Sequence, residues 1–128
     1  MIEVPLRWGD FDALGHVNHV AVLALLESGR DRWLRAVGIA PEEYVVGRCA
    51  IVFEREIPAH LDAVAASCAA VELRRSSLTT RERLIDADGA TLVSGSFDLV
   101  LWDSEQRRSR PISDLERAAF TRDMEALA

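Results

Sequence analysis

Apolar and polar positions alternate with two different periods along the chain, and the change of period marks its elements. From Asn18 to Val37 no proline or internal break interrupts a helical pattern; Asn18 suits an N-cap and Gly38 a C-terminal stop. The first half of this helix, "VAVLALL" (20–26), is apolar on every side, so it is expected to be buried almost all round. The second half is amphipathic. At about 100° per residue, Val22, Leu23, Leu26, Trp33, Leu34 and Val37 share one stripe, while Ser28, Arg32 and Arg35 face away. Ahead of the helix, "EVPLRW" (3–8) reads as a short strand and residues 9–17 as a loop. Beyond Pro41 come four strand-like runs: "RCAIVFEREI" (48–57), "VAASCAAVELR" (64–74), "SLTTRERLID" (77–86) and "TLVSGSFDLVLW" (91–102). The last two are joined by "DADG", a hairpin signal, and residues 113–127 read as a terminal helix starting from Ser113. Short connections predict an antiparallel meander. The expected fold is therefore α+β, a five-stranded antiparallel sheet wrapped around one long central helix. A sheet of this kind leaves edges to cover, so association into a dimer is expected.

No repeat, low-complexity tract or linker interrupts the 128 residues, and one domain over 1–128 is expected. The hydrophobic share of 49% and charged share of 28% are those of a globular chain. No apolar run is long enough to span a membrane, and the N-terminus lacks the basic-then-apolar layout of a signal peptide. Cys49 and Cys68 lie in apolar strand-like segments without metal spacing, so they read as reduced core residues of a cytoplasmic protein. The net charge of −6 argues against a nucleic-acid partner. All fifteen basic residues are arginine, which together with the many alanines fits a GC-rich bacterial genome. Local arginine clusters still offer places for a small polyanion.

The densest chemistry is "RWGDFDALGHVNH" (7–19). A carboxylate just upstream of a helix start has two readings. Asp10 and Asp12 satisfy free N–H groups and favour the helix dipole, or one of them attacks a carbonyl, directly or through water, that the helix end polarises. Gly15 permits a tight turn toward the helix. His16 and His19, three apart and without a third ligand of clear spacing, do not make a metal site, and none is expected. Within the helix, Glu27 and Arg30 stand at i,i+3 spacing and are expected to form an ion pair, although a catalytic glutamate on the helix is the other reading. "RRSSLTT" (74–80) sets arginines and serines at a strand junction, the composition of a turn and also of a phosphate-binding arm.

The stretch "RWGDFDALGHVNHVAVLALLESGR" resembles the opening of the hotdog-fold acyl-CoA thioesterases of the 4-hydroxybenzoyl-CoA thioesterase type, in which D-x-D-x-x-G-x-V-x precedes a helix carrying E-x-x-R. Asp10, Asp12, Gly15, Val17, Glu27 and Arg30 match, and the resemblance extends over residues 4–112. It implies a hotdog fold and hydrolysis of an acyl thioester carried by coenzyme A or an acyl carrier protein. Asp12 would be nucleophile or general base, and N–H groups around His19 and Val20 at the helix start would form the oxyanion hole, shaped by Gly15 and Asn18. Arg75, Ser76 and Ser77 would contact the coenzyme across a subunit interface, in a homodimer or homotetramer, with no cofactor. Where the family carries aromatic residues in the helix, this chain has the aliphatic "HVAVLALLE", and His19 stands where asparagine is common. A hydratase or dehydratase using His16 or His19, and a hotdog domain that binds an acyl-CoA without turnover, are the alternatives.

Overall fold

The structure, a computed structural model, describes residues 1–7, 17–58 and 61–126. Its elements run β1 (Ile2–Pro5), α1 (His19–Val37), a short 3-10 turn (Pro41–Glu43), β2 (Tyr44–Phe53), β3 (Ala63–Leu73), β4 (Ser77–Ile85), β5 (Thr91–Asp103), β6 (Arg108–Ser109) and α2 (Asp114–Ala126). The architecture is α+β, with an antiparallel sheet in the order β1-β3-β4-β5-β2 and β6 paired to the end of β5. The sheet has six strands rather than the five expected. The extra one forms because Asp103 accepts the N–H groups of Glu105 and Gln106, Arg107 takes a left-handed φ of 52°, and the chain doubles back along Trp102 and Asp103. Two residues are too few to show an alternation in sequence.

Both ends of α1 are capped as the sequence predicts. The Asn18 side chain accepts the Ala21 N–H at 2.8 Å, and Gly38, with φ of 97°, closes the C-terminus by donating to Arg35 O. The "DADG" hairpin also forms, with Gly89 at φ of 85° and Asp86 accepting from Asp88 and Ala90. At α2, Ser113 and Glu116 make a reciprocal capping box.

The core lies between α1 and the inner face of the sheet. In the strands it comprises Val64, Ala66, Leu78, Leu84, Phe97, Leu99 and Leu101; in α1, Val22, Leu25, Leu26 and Leu34. Gly29 fits against β3 so closely that an added Cβ would stand 2.6 Å from the Ala66 Cβ. α2 docks onto α1 through the Trp33–Phe120 ring contact (5.4 Å between centroids) and the Trp33 Nε1–H donated to Asp123.

Three expectations are corrected. Residues 20–26 are not buried all round: Val20 is 66% and Leu23 43% exposed, because α1 contacts the sheet on one side only. β2 starts at Tyr44 and ends at Phe53, four residues before the expected end; Glu54 and Arg55 then both donate to Leu92 O and turn the chain away. Cys49 is exposed rather than in the core, since β2 is an edge strand with residues of both faces accessible; Cys49 and Cys68 are both free thiols.

Candidate active site

The first turn of α1 presents the positive end of the helix, partly capped. Asn18 Oδ1 takes the N–H of Ala21 and Asn18 O takes that of Val22. The N–H groups of His19 and Val20 are left without an acceptor among the described residues, and no acidic side chain stands in the first turn. Two free donors at the positive end of a 19-residue helix are suited to a developing oxyanion. The approach to this turn is fixed by Val17, whose N–H donates to Ile57 O at 2.9 Å. A cavity of about 380 Å³ opens here, walled by Val17, Asn18, His19 and Val22 on one side and by Phe53–Ile57 on the other. Glu54 and Glu56 are its carboxylates among the described residues, and Glu54 accepts a 3.3 Å hydrogen bond from Ser94.

Of the residues singled out in the sequence, Asp10, Asp12, Gly15 and His16 lie outside the described residues. Asn18, His19 and Val20 stand together at the helix start. Arg75, Ser76 and Ser77 do not join them. They form the β3–β4 hairpin, whose register sets Ser77 beside Val100 next to the Tyr44 end of β2, whereas the cavity lies at the Phe53 end. Along β4 the two ends are seven rises apart, from Ser77 to Leu84, about 23 Å of extended strand.

The hairpin itself is braced. Arg74 donates to Ser77 Oγ (2.9 Å) and Thr79 Oγ1 (2.8 Å), and Thr79 donates to Asp98 (2.6 Å), which holds the Asp98 carboxyl below its usual range. The carbonyls of Arg74, Arg75 and Ser76 accept from Arg117, Ile112 and Leu101. Arg74 is thus structural, and Arg75 is the exposed arm of the turn.

The expected Glu27–Arg30 pair does not form. Glu27 is exposed, and Arg30, 2% exposed, instead forks onto Glu82 of β4: Nε donates at 2.9 Å and 3.2 Å, Nη2 at 3.0 Å. Thr80 donates to the same carboxylate at 2.7 Å, and the Phe97 ring lies 4.2 Å beneath the guanidinium carbon. Burial works against the Arg30 charge, but the Glu82 hydrogen bonds and charge outweigh it and raise its pKa. Glu82 was readable in the alternation of "SLTTRERLI", where Leu78, Thr80, Glu82 and Leu84 share the inner face. The pair lies mid-helix, away from the free N–H groups. Nearby, the Tyr44 hydroxyl donates to Asp31 at 2.8 Å, and burial with that bond raises its pKa. Among the described residues no three His, Cys, Asp or Glu side chains gather as metal ligands.

A family profile described as the thioesterase-like superfamily matches residues 6–120. Among solved structures, a thioesterase from Thermus thermophilus, crystallised with coenzyme A and zinc, is 28% identical with a TM-score of 0.83, covering 97% of this chain and 92% of that one. The PA2801 protein of Pseudomonas aeruginosa, a candidate thioesterase, is 31% identical with a TM-score of 0.82, over 92% and 95%. A predicted thioesterase from Bacillus stearothermophilus shares the fold (TM-score 0.83) at 19% identity, over 95% and 93%. No curated protein matches the sequence.

Proposed function

The chain belongs to the thioesterase-like superfamily, and from that premise we propose that it hydrolyses an acyl thioester of coenzyme A, or of an acyl carrier protein bearing the same pantetheine arm. The observation that carries this reading is the pair of free N–H groups, His19 and Val20, at the start of α1. They would receive the thioester oxygen as it becomes an oxyanion, and Asp12, seven residues upstream of His19, would attack the carbonyl carbon or deprotonate water. Asn18 shapes the turn by capping it, and Gly15 its approach. The coenzyme complex of the Thermus relative supports the choice of substrate class, and the matching D-x-D-x-x-G-x-V motif supports the 4-hydroxybenzoyl-CoA thioesterase type. In this reading the whole chain is one hotdog domain of a cytoplasmic enzyme, its sheet curved about α1.

The strand length between the hairpin and the Phe53 end of β2, beside which the helix start lies, is about 23 Å and argues that one copy does not form the whole site. If β2 edges pair antiparallel, the Tyr44 end of one copy lies beside the Phe53 end of the other, and each hairpin with Arg75, Ser76 and Ser77 is carried toward the partner's α1 start. Exposed Val45, Val46, Val52 and Phe53 on β2, with Val20 and Leu23 on α1, supply apolar surface for such contact. A homodimer is therefore the smallest complete enzyme, and a homotetramer would be built from two.

Free-thiol release from a panel of acyl-CoAs tests the reading. Wild-type protein is expected to turn over at least one, and Asp12→Asn to lose about 100-fold or more in kcat. Equal rates in the two proteins would remove Asp12 from the mechanism, and tight binding without turnover would make the chain a binding protein.

A further inference from the structure

The edge of the sheet opposite β2 is incomplete. β1 covers β3 only from Ala63 to Ala66. Leu6 N donates to Asp62 O at 2.8 Å, so even-numbered residues of β3 turn their main-chain groups toward β1. In the same alternation Cys68 and Ala70 turn theirs to that side, beyond the start of β1, where no strand lies among the described residues. A cavity of about 680 Å³ opens there and is lined by the unbroken run Ala66–Val71, so it follows the edge of the strand rather than one face.

Its two walls differ in chemistry. On the inner side stand Trp33 and Met124, with Asp123 already held by Trp33 Nε1. On the outer side stand Arg81 and Arg83, paired in register with Ala69 and Ser67, whose small side chains let the long arginines reach across β3 to its edge. Both arginines are exposed and neither has a carboxylate partner among the described residues. We propose that this edge takes up an extended acidic segment of a partner protein, added as a strand in line with β1, with carboxylates at alternate positions on Arg81 and Arg83.

Arg81 and Arg83 are two residues apart on one face, about 6.7 Å, which is the spacing of alternate side chains on an added strand. Residues between the acids would face Trp33 and Met124. A second copy of this chain does not suit the edge: pairing β3 with itself would set two arginine pairs against each other across the symmetry axis. The inference is independent of the thioesterase reading.

The test uses the full-length protein and two labelled ten-residue peptides, one alternating Glu and Val, the other Lys and Val. The acidic peptide is expected to bind by fluorescence anisotropy and to slow hydrogen exchange at the Cys68 and Ala70 amides, but not at Ser67 and Ala69, whose groups face β4. The double variant R81E/R83E should lose at least tenfold in affinity for the acidic peptide and gain the basic one; since both positions are exposed, it should unfold in urea like the wild type. Double replacement by serine should weaken the acidic peptide without admitting the basic one. Binding of neither peptide by the wild type, equal binding of both, or binding without protection of Cys68 and Ala70 would overturn the proposal.

Discussion

Arg30 and Glu82 are the most heavily committed residues of the interior. Two charges at 2% and 1% exposure are tolerated only because three N–H···O contacts, the Thr80 hydroxyl and the Phe97 ring replace their water. Removing one partner leaves the other buried and unpaired. Arg30→Met is therefore expected to lower unfolding stability by about 3–5 kcal/mol in urea titrations, whereas the double replacement Arg30→Met/Glu82→Leu should recover most of that loss. If the double variant were no better than the single one, the ion pair would be stabilising in its own right. This pair also shows what a single sequence hides. Arg30 stands out in an apolar stripe, but spacing along one helix offers only near neighbours, and Glu27 is the acid at i,i+3 spacing on the same side. The true partner lies 52 positions away and is fixed by strand register, which no local pattern contains.

Among the elements, α2 depends most visibly on charge. Its N-terminus is held by Glu116, which accepts from Arg110 at 2.9 and 2.8 Å and closes the box with Ser113. Partial burial pushes the Glu116 carboxyl up, but the Arg110 and Ser113 hydrogen bonds prevail and lower it below 4.5. A carboxylate whose folded pKa is depressed contributes stability above its unfolded value, and that contribution is lost as pH falls through the folded one. Wild type should therefore exceed Glu116→Gln in stability near about pH 7, and the two should converge only as the pH falls through the lowered Glu116 carboxyl, below the ordinary glutamate range. Thermal unfolding across that range measures it; a gap that persisted in acid would assign the loss to packing instead. The cap at Ser113 was legible because capping is local, as were Asn18, Gly38 and the Asp86–Gly89 turn. The early end of β2 was not, because Leu92 O, which draws Glu54 and Arg55 aside, belongs to another strand.

At the scale of the molecule, the same chain shows a helix start with open donors and, at the far end of the sheet, an arginine-bearing hairpin held rigid by Arg74, Arg117 and the backbone of Leu101 and Ile112. The sequence carries both parts of the proposed site in separate segments but not their separation, which follows only from the register of β4 with β5. If two copies complete each other's sites, defects in the two parts should complement. Asp12→Asn leaves the hairpin intact and Arg75→Glu leaves the carboxylate intact, so each variant alone is expected to be nearly inactive. Mixed, dissociated and reassembled, they form hybrid dimers in which one of the two sites combines an intact Asp12 with an intact hairpin. Random assembly makes half the dimers hybrid, so activity should return to about one quarter of wild type. Light scattering on the wild type should give twice the monomer mass, and Val46→Glu on the exposed edge should shift it toward the monomer while lowering activity in parallel. Full activity from a monomer, or no recovery on mixing, would place the whole site within one chain and leave the β3–β4 hairpin out of it.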